Sequence, residues 1–421
     1  MSRIFFINRF YHPDNSATAQ LLTSLAEYLA AKDMDVVVTT SRLDYVTGNK
    51  IYLAHEKING VEIHRLQTTA FGRDSLIGRA FDYLSFYFNC LLFLLFKTTR
   101  KDIIVVKTDP PMLSVIAMLV SIFKRYRYIT WNQDLFPEIA EKSLSNIKIK
   151  FIYRWLRNVR DLSLSKSFLN IFIGEMMCEK LHNLKHRNTE QTIIHNWNVS
   201  TNKSQITPLD LKTKWNIKEK FVVGYSGNLG KAHNPKILYK AIKKLSEIDS
   251  IHFLFIGNGS GMQWLKQKTA IAKLSNITFL PYQPIELLRS SLCVPDIHLI
   301  SLNSEMEGLI VPSKFYGILS VGKPMIFIGG KDGELVRLIN KHQCGISVDE
   351  NEAQGLILTI KHYHNSPDDI EQHANNSRLA YQQYYSPEIS LEKWHQELKN
   401  AQENFNLPTY PQTRQKPSHD V

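Results

Sequence analysis

The segment Glu307-Gly308-Leu309-Ile310-Val311-Pro312-Ser313-Lys314 joins a carboxylate, a glycine-bearing loop and a helix started by Pro312. Free N–H groups at such a start, with the helix dipole, favour an anion. Glu307 can accept hydrogen bonds from sugar hydroxyls. Lys314 lies in the first turn, where a cation opposes the dipole, and that placement makes better sense if it meets a phosphate. A capping glutamate and a solvated lysine fit the same spacing.

A second stretch, Gly224 to His233, follows a strand-like run and precedes a helical one. Gly227 and Gly230 permit close backbone approach, and Lys231 and His233 can supply positive donors to a diphosphate. The spacing is not that of a P-loop. A third turn, Gly257-Asn258-Gly259-Ser260-Gly261, is weak evidence alone. Asp134 and Glu138 flank Phe136-Pro137 and could act on an acceptor hydroxyl or cap a helix. His195 and Asn196 fit a hinge or a satisfied polar turn, and Trp131, Trp197 and Trp394 fit packing.

These turns need strands and helices to hold them. In the first half, Ile4–Ile7, Val36–Thr40, Ile103–Lys107, Tyr128–Trp131 and Ile171–Ile173 read as strands. An amphipathic helix near Thr18–Ala31 carries Leu21, Leu22, Leu25, Ala26 and Leu29 on one face. After a polar interval, Asn198–Lys220, the alternation restarts. Phe221–Tyr225, Phe253–Ile256, Ile277–Leu280, Ile297–Ile300, Met325–Ile328 and Ile346–Val348 read as strands, Pro235–Leu245 and Ser313–Ser320 as helices. The pattern predicts an α/β fold of two doubly wound Rossmann-like domains, with the ligand in the cleft between them. The expected divisions are 1–205, 206–385, a terminal helix over 386–404 that packs back on the first domain, and a disordered tail over 405–421.

The 421 residues carry 51 basic against 39 acidic side chains, with 26 against 18 in residues 1–200. A basic first half points to an anionic partner. The basic residues are dispersed among apolar runs and no nucleic-acid motif occurs, which makes a nucleic acid the weakest option. Cys90, Cys178, Cys293 and Cys344 form no CxxC pair, which suits a reducing compartment and provides no zinc site. No cluster has metal-ligand spacing, so no metal is expected. The N-terminus lacks the pattern of a secretory signal, and the expected location is cytoplasmic. Two apolar runs, Phe81–Phe96 and Met112–Phe123, fall short of a bilayer span. They fit helices packed on a sheet or a shallow insertion into one leaflet, for Arg79, Lys97, Arg100, Lys101, Lys124, Arg125 and Arg127 flank them. The segment Lys148–Arg157 fits a solvated helix or an anionic lipid contact.

Six signatures, in this order and spacing, resemble the family 4 glycosyltransferases, retaining enzymes of GT-B fold. They are YHPDNSATAQLLTSLAEYLA (Tyr11–Ala30), KTDPPMLSV (Lys107–Val115), WNQDLFPEIA (Trp131–Ala140), YSGNLGKAH (Tyr225–His233), PYQP (Pro281–Pro284) and EGLIVPSKFYGILSVGKP (Glu307–Pro324). The similarity spans residues 1–404 and is greatest to bacterial polysaccharide-assembly members that look like N-acetylfucosamine transferases. It implies that Glu307 is the first glutamate of an E-x7-E element that binds donor-sugar hydroxyls. It further implies that Gly308, Leu309 and Ile310 hold the diphosphate through their amides and that Lys231 and His233 lie near a cationic pair. Tyr282 and Gln283 would sit beside the base, and Asn15 to Thr18, including Ser16, would close over the donor. The second glutamate of that element is missing, and Lys314 stands in its place. Asn228 replaces a usual arginine, and Asn132, Gln133 and Asp134 stand where many relatives place a histidine.

The resemblance implies transfer, with retention, of a sugar (an amino sugar is expected) from a UDP-sugar. The acceptor would be a lipid-linked or growing saccharide in surface polysaccharide assembly, at the inner face of the membrane. No cofactor beyond the UDP-sugar substrate is expected. A sugar-nucleotide epimerase of the same fold and a non-enzymatic membrane-associated assembly factor are the alternatives.

Overall fold

The structure, a computed structural model, describes residues 2–14, 16–44, 51–72, 76–143, 150–181, 189–199 and 206–403. Asn15, residues 200–205 of the expected linker, Lys148, Ile149 and the expected tail lie outside the described residues.

Two sheets organise the chain. The first has β1 (Ile4–Ile7), β2 (Val36–Ser41), β3 (His55–Ile58), β4 (Val61–Leu66), β5 (Ile103–Lys107), β6 (Arg127–Asn132), β7 (Leu169–Phe172) and β8 (Glu190–Ile193). Their order is β3-β4-β2-β1-β5-β6-β7-β8. The second has β9 (Phe221–Ser226), β10 (Ile251–Ile256), β11 (Ile277–Leu280), β12 (Ile297–Ser301), β13 (Met325–Gly329) and β14 (Gly345–Asp349), ordered β11-β10-β9-β12-β13-β14. All pairs are parallel except β3 with β4. Strands β1, β2 and β5 are buried on both faces, which explains their unbroken β-branched and aromatic runs. Strand order reverses between β1 and β5 and between β9 and β12, and the loops beyond those strand ends face the cleft.

The sequence expectation omits β8 and the β3–β4 hairpin. The hairpin is rich in charge, and its turn is Asn59-Gly60, both at positive φ (48° and 83°). An Asn-Gly pair between alternating residues is the hairpin signal that could have found it. The interval read as a linker holds a helix, Pro208–Lys214, which Thr207 and Asp210 start with a reciprocal capping box.

The terminal helix Pro387–Glu403 crosses to the first domain. Trp394 is buried against Trp131, whose ring also stacks on Trp197. The Tyr28 hydroxyl donates to Glu392 at 2.7 Å, and Arg127 donates to the Ala401 carbonyl at 2.9 Å. One apolar core runs from β1 through these tryptophans to Leu309, Phe315 and Tyr316 of the second domain. The two domains are thereby held around a shared core.

Candidate active site

The loop after β9 and the loop after β10 lie on each other. The Gly227 amide donates to Ile256, the Leu229 amide to Asn258 and the Gly261 amide to Leu229, each at 2.8 Å. Gly227, Gly257 and Gly259 have φ of 122°, 134° and 126°. A Cβ on Gly257 would stand 2.2 Å from the Gly227 carbonyl oxygen, so the two loops can touch only without side chains.

The segment from Ser304 to Lys314 joins the same place. The Asn303 amide donates to the Ala232 carbonyl at 2.8 Å, and its side chain to Lys231 at 3.2 Å. The Lys314 ammonium passes over Gly227, donates to the Tyr225 hydroxyl and to the Asn228 carbonyl at 3.2 Å, and lies 4.0 Å from the Tyr225 ring centre. Burial pushes it down to about 7. Lys314 is therefore not the solvated lysine of the simpler reading. The turns at 227–233 and 307–314 converge on one side of the second domain.

The geometry changes which groups are available. The Leu309 and Ile310 amides already donate to the Met306 carbonyl, at 3.0 and 3.4 Å. Among the described residues, the amides of Asn228, Gly230 and Gly308 have no protein acceptor. His233 donates its Nδ1–H to the Ser301 carbonyl, and burial beside Lys314 lowers it to about 4. It is neutral at pH 7, so the positive charge expected of it falls to the exposed Lys231 and to the protonated form of Lys314.

Glu307 is 7% exposed. Its Oε2 accepts the Glu334 amide at 3.2 Å, capping the helix Glu334–His342, while Oε1 is buried without a partner. Burial raises the carboxyl to about 7, helped by Glu334 and Glu350 and opposed by the Glu334 amide and Lys180. Gly333 leaves the space, since a Cβ there would meet Glu307 Oε1 at 2.3 Å. The capping role is thus present, and it occupies one oxygen only.

The first domain meets this strap directly. Leu135 donates its amide to the Leu309 carbonyl at 2.9 Å, and Asp134 and Ile310 form an antiparallel bridge. Glu334 reaches back to accept the amides of Glu175 and Met176 at 2.9 and 2.7 Å, closing the N-terminus of a first-domain helix from the other domain. Gly308 (φ 68°) passes beneath Lys180 of that helix. Neither Glu334 nor Lys180 stands in a recognisable motif, and only the folded chain brings them here.

Solvent reaches Asp134, yet protein surrounds its carboxylate. The surrounding protein mass and the neighbouring Asp109 raise it to about 6, with Lys107 opposing. Lys107 is 1% exposed, donates to the Thr18 carbonyl at 3.0 Å and lies 3.8 Å over Trp131. Burial lowers it to about 7 against Asp109 and Asp134. Asp134, Lys107 and Thr108 line a pocket with Met112, Phe136 and Arg160. Its sequence neighbours are committed elsewhere. Gln133 and Asn196 exchange amide hydrogen bonds at 2.9 and 2.8 Å, and Asn132 bonds Thr130 and Ile171. Glu138 is held by Arg160 and Arg157, which leaves Asp134 as the free acid of the pair.

Ser16 spends its hydroxyl capping the helix Ala17–Ala31, and Thr18 contributes its carbonyl to Lys107. Tyr282 and Gln283 follow β11 at the sheet edge, Tyr282 exposed and Gln283 folded onto the Pro281 carbonyl at 2.9 Å. The β3–β4 hairpin also gathers His55, Glu62 and His64, a potential metal-ligand set that sequence spacing does not show. It lies at the outer edge of the first sheet.

Residues 210–380 match the family model for glycosyl transferases group 1. A probable glycosyltransferase of Pseudomonas aeruginosa, WbjE, is 25% identical over 302 residues, 71% of this chain and 74% of the relative. Among solved structures, sucrose-phosphate synthase from Thermosynechococcus elongatus superposes with a TM-score of 0.71 at 15% identity, over 95% of this chain and 99% of that one. HepE of Anabaena, in complex with UDP-glucose, gives 0.69 at 13% identity over 95% and 100%. WaaG, a glycosyltransferase involved in lipopolysaccharide biosynthesis, gives 0.64 at 13% over 94% and 99%.

Proposed function

We propose that the chain is a glycosyltransferase of GT-B architecture with a group 1 second domain, and that its donor is a UDP-sugar. The reaction is transfer with retention of a hexose derivative, an amino sugar by our reading. The acceptor is a lipid-linked or growing saccharide of bacterial surface polysaccharide, met at the inner face of the cytoplasmic membrane.

The observation that carries this reading is the convergence of the 227–233 and 307–314 turns around Glu307, whose buried Oε1 lacks a donor. A sugar hydroxyl is a donor of the required kind. The free amides of Asn228, Gly230 and Gly308, with Lys231 and Lys314, suit a diphosphate. HepE is a structure of this fold that holds UDP-glucose.

In the reaction, the acceptor oxygen bonds to the anomeric carbon as the bond from that carbon to the diphosphate oxygen breaks. The two lysines and the loop amides stabilise the negative charge that develops on the departing diphosphate. Asp134, raised to about 6, is largely ionised at pH 7 and stands where it can take up the acceptor's hydroxyl proton. The pairing of segments 134–135 and 309–310 ties the two domains together beside the donor, which suits a cleft that closes and sheds water once the substrates are bound.

The test is incubation of the purified chain with UDP-sugars, with and without a lipid-linked saccharide. Acceptor-dependent release of UDP is expected, and Glu307→Ala should abolish it while leaving the fold intact. Isomerised sugar nucleotide without acceptor would make the enzyme an epimerase instead.

A further inference from the structure

Three neighbouring helices of the first domain, Leu76–Lys97, Leu113–Lys124 and Lys150–Ser165, have one covered face and one open face. Phe86, Cys90, Leu94, Leu113, Ala117 and Val120 are buried beneath them against β1 and β5. The outer face is apolar as well. Phe96, Phe123 and Phe151 are 79%, 77% and 78% exposed, and Phe88, Ile122 and Trp155 are exposed with them. Side chains of this size seldom stand in water together over three adjacent elements.

The helix Leu76–Lys97 is longer than its uncharged run indicates, and its segment Ile77–Lys97 has the length and composition of a membrane span. It does not leave the domain to span one. Its Phe86, Cys90 and Leu94 face belongs to the core, and Asp82 within it meets Arg9.

Charge identifies what covers this face. Lys97, Lys124, Arg125, Lys150 and Arg154 lie at or near the ends of the three helices. Their acids are Asp82 and Asp161, each turned to an arginine. A second copy docked by the same face would oppose one cationic rim to another. An anionic bilayer surface satisfies both the apolar centre and the basic rim.

We propose that these three helices form a docking face for an anionic phospholipid leaflet, into which Phe96, Phe123 and Phe151 insert at shallow depth. The inference deepens the membrane placement given above and rests on it only for its consequence. The Asp134 pocket is lined by Met112 and Leu113 at the start of one of these helices and by Arg160 of another. Docking therefore holds that pocket beside the lipid headgroups, where the saccharide end of a lipid-linked acceptor projects.

Co-sedimentation with vesicles tests this on the full chain. Vesicles of phosphatidylglycerol and phosphatidylethanolamine should retain the protein, and phosphatidylcholine vesicles should retain at least tenfold less. Phe96→Ser/Phe123→Ser should lower partitioning about tenfold or more. Lys97→Gln/Lys124→Gln should lower it several-fold and reduce its salt dependence. These side chains are exposed, and an unchanged thermal midpoint will verify that each variant is folded. Protein that stays in the supernatant, variants that bind like the parent, or a dimer that buries Phe96 and Phe123 would overturn the proposal. Vesicle binding without transfer to a lipid-linked saccharide would count against the acceptor and leave the docking face standing.

Discussion

Replacing Glu307 by glutamine should weaken catalysis and strengthen the fold, and one carboxylate causes both effects. Burial raises this group from 4.5 to about 7. Between those values the folded protein keeps a proton that the unfolded chain has released, so stability falls as pH rises from near 4.5 to near 7. Above pH 7 the buried charge costs about 3 kcal/mol. Glutamine keeps the volume and an acceptor for the Glu334 amide at 3.2 Å. Its own amide hydrogens, left without partners, offset about 1–2 kcal/mol of the gain. The variant should therefore be more stable than the parent by about 1–2 kcal/mol at pH 8, with the advantage gone or reversed at pH 5. Catalysis should move the other way. Hydrogen bonds from sugar hydroxyls to a charged acceptor contribute about 1.5–3 kcal/mol, so kcat/KM should drop about 10- to 150-fold. Thermal unfolding at the two pH values and a coupled assay of UDP release measure both sides. A variant with the parent's kcat/KM, or one less stable than the parent at pH 8, would refute the reasoning.

Three further substitutions probe other parts of the site. Gly257→Ala should destabilise the second domain by about 3 kcal/mol or more and abolish UDP-sugar binding, because its φ is 134° and its Cβ would strike the Gly227 carbonyl; denaturant unfolding and calorimetry check both. Lys107→Met removes the cation that holds Asp134 down. The acid limb of the kcat/KM profile, expected near pH 6, should move to higher pH, and an unmoved limb would separate Asp134 from the chemistry. Glu334→Ala takes the acceptor from the Glu175 and Met176 amides. It should cost about 1–2 kcal/mol, read from the denaturant midpoint.

Much of the architecture can be read from residue patterns because parallel strands buried on both faces leave unbroken apolar runs. Ile4–Ile7 and Ile103–Lys107 begin and end where those runs do. The glycine turns are readable for a similar reason, since a positive φ beside a neighbouring carbonyl admits little else. What the patterns miss depends on partners distant in sequence. The neutrality of His233 follows from burial next to Lys314, and the occupied amides of Leu309 and Ile310 follow from how the strap folds on Met306. Glu334 and Lys180 act across the cleft, at positions where the local sequence says nothing of chemistry. The apolar runs of the first domain show the converse limit. Periodicity finds the helices, and only packing tells which of their two apolar faces is covered.

The most direct measurement is a crystal structure of the chain saturated with a UDP-sugar. Diphosphate density within hydrogen-bond reach of the Asn228, Gly230 and Gly308 amides, with a sugar hydroxyl on Glu307 Oε1, is the expected result. A nucleotide seated away from both turns, with Glu307 still unpartnered, would contradict it.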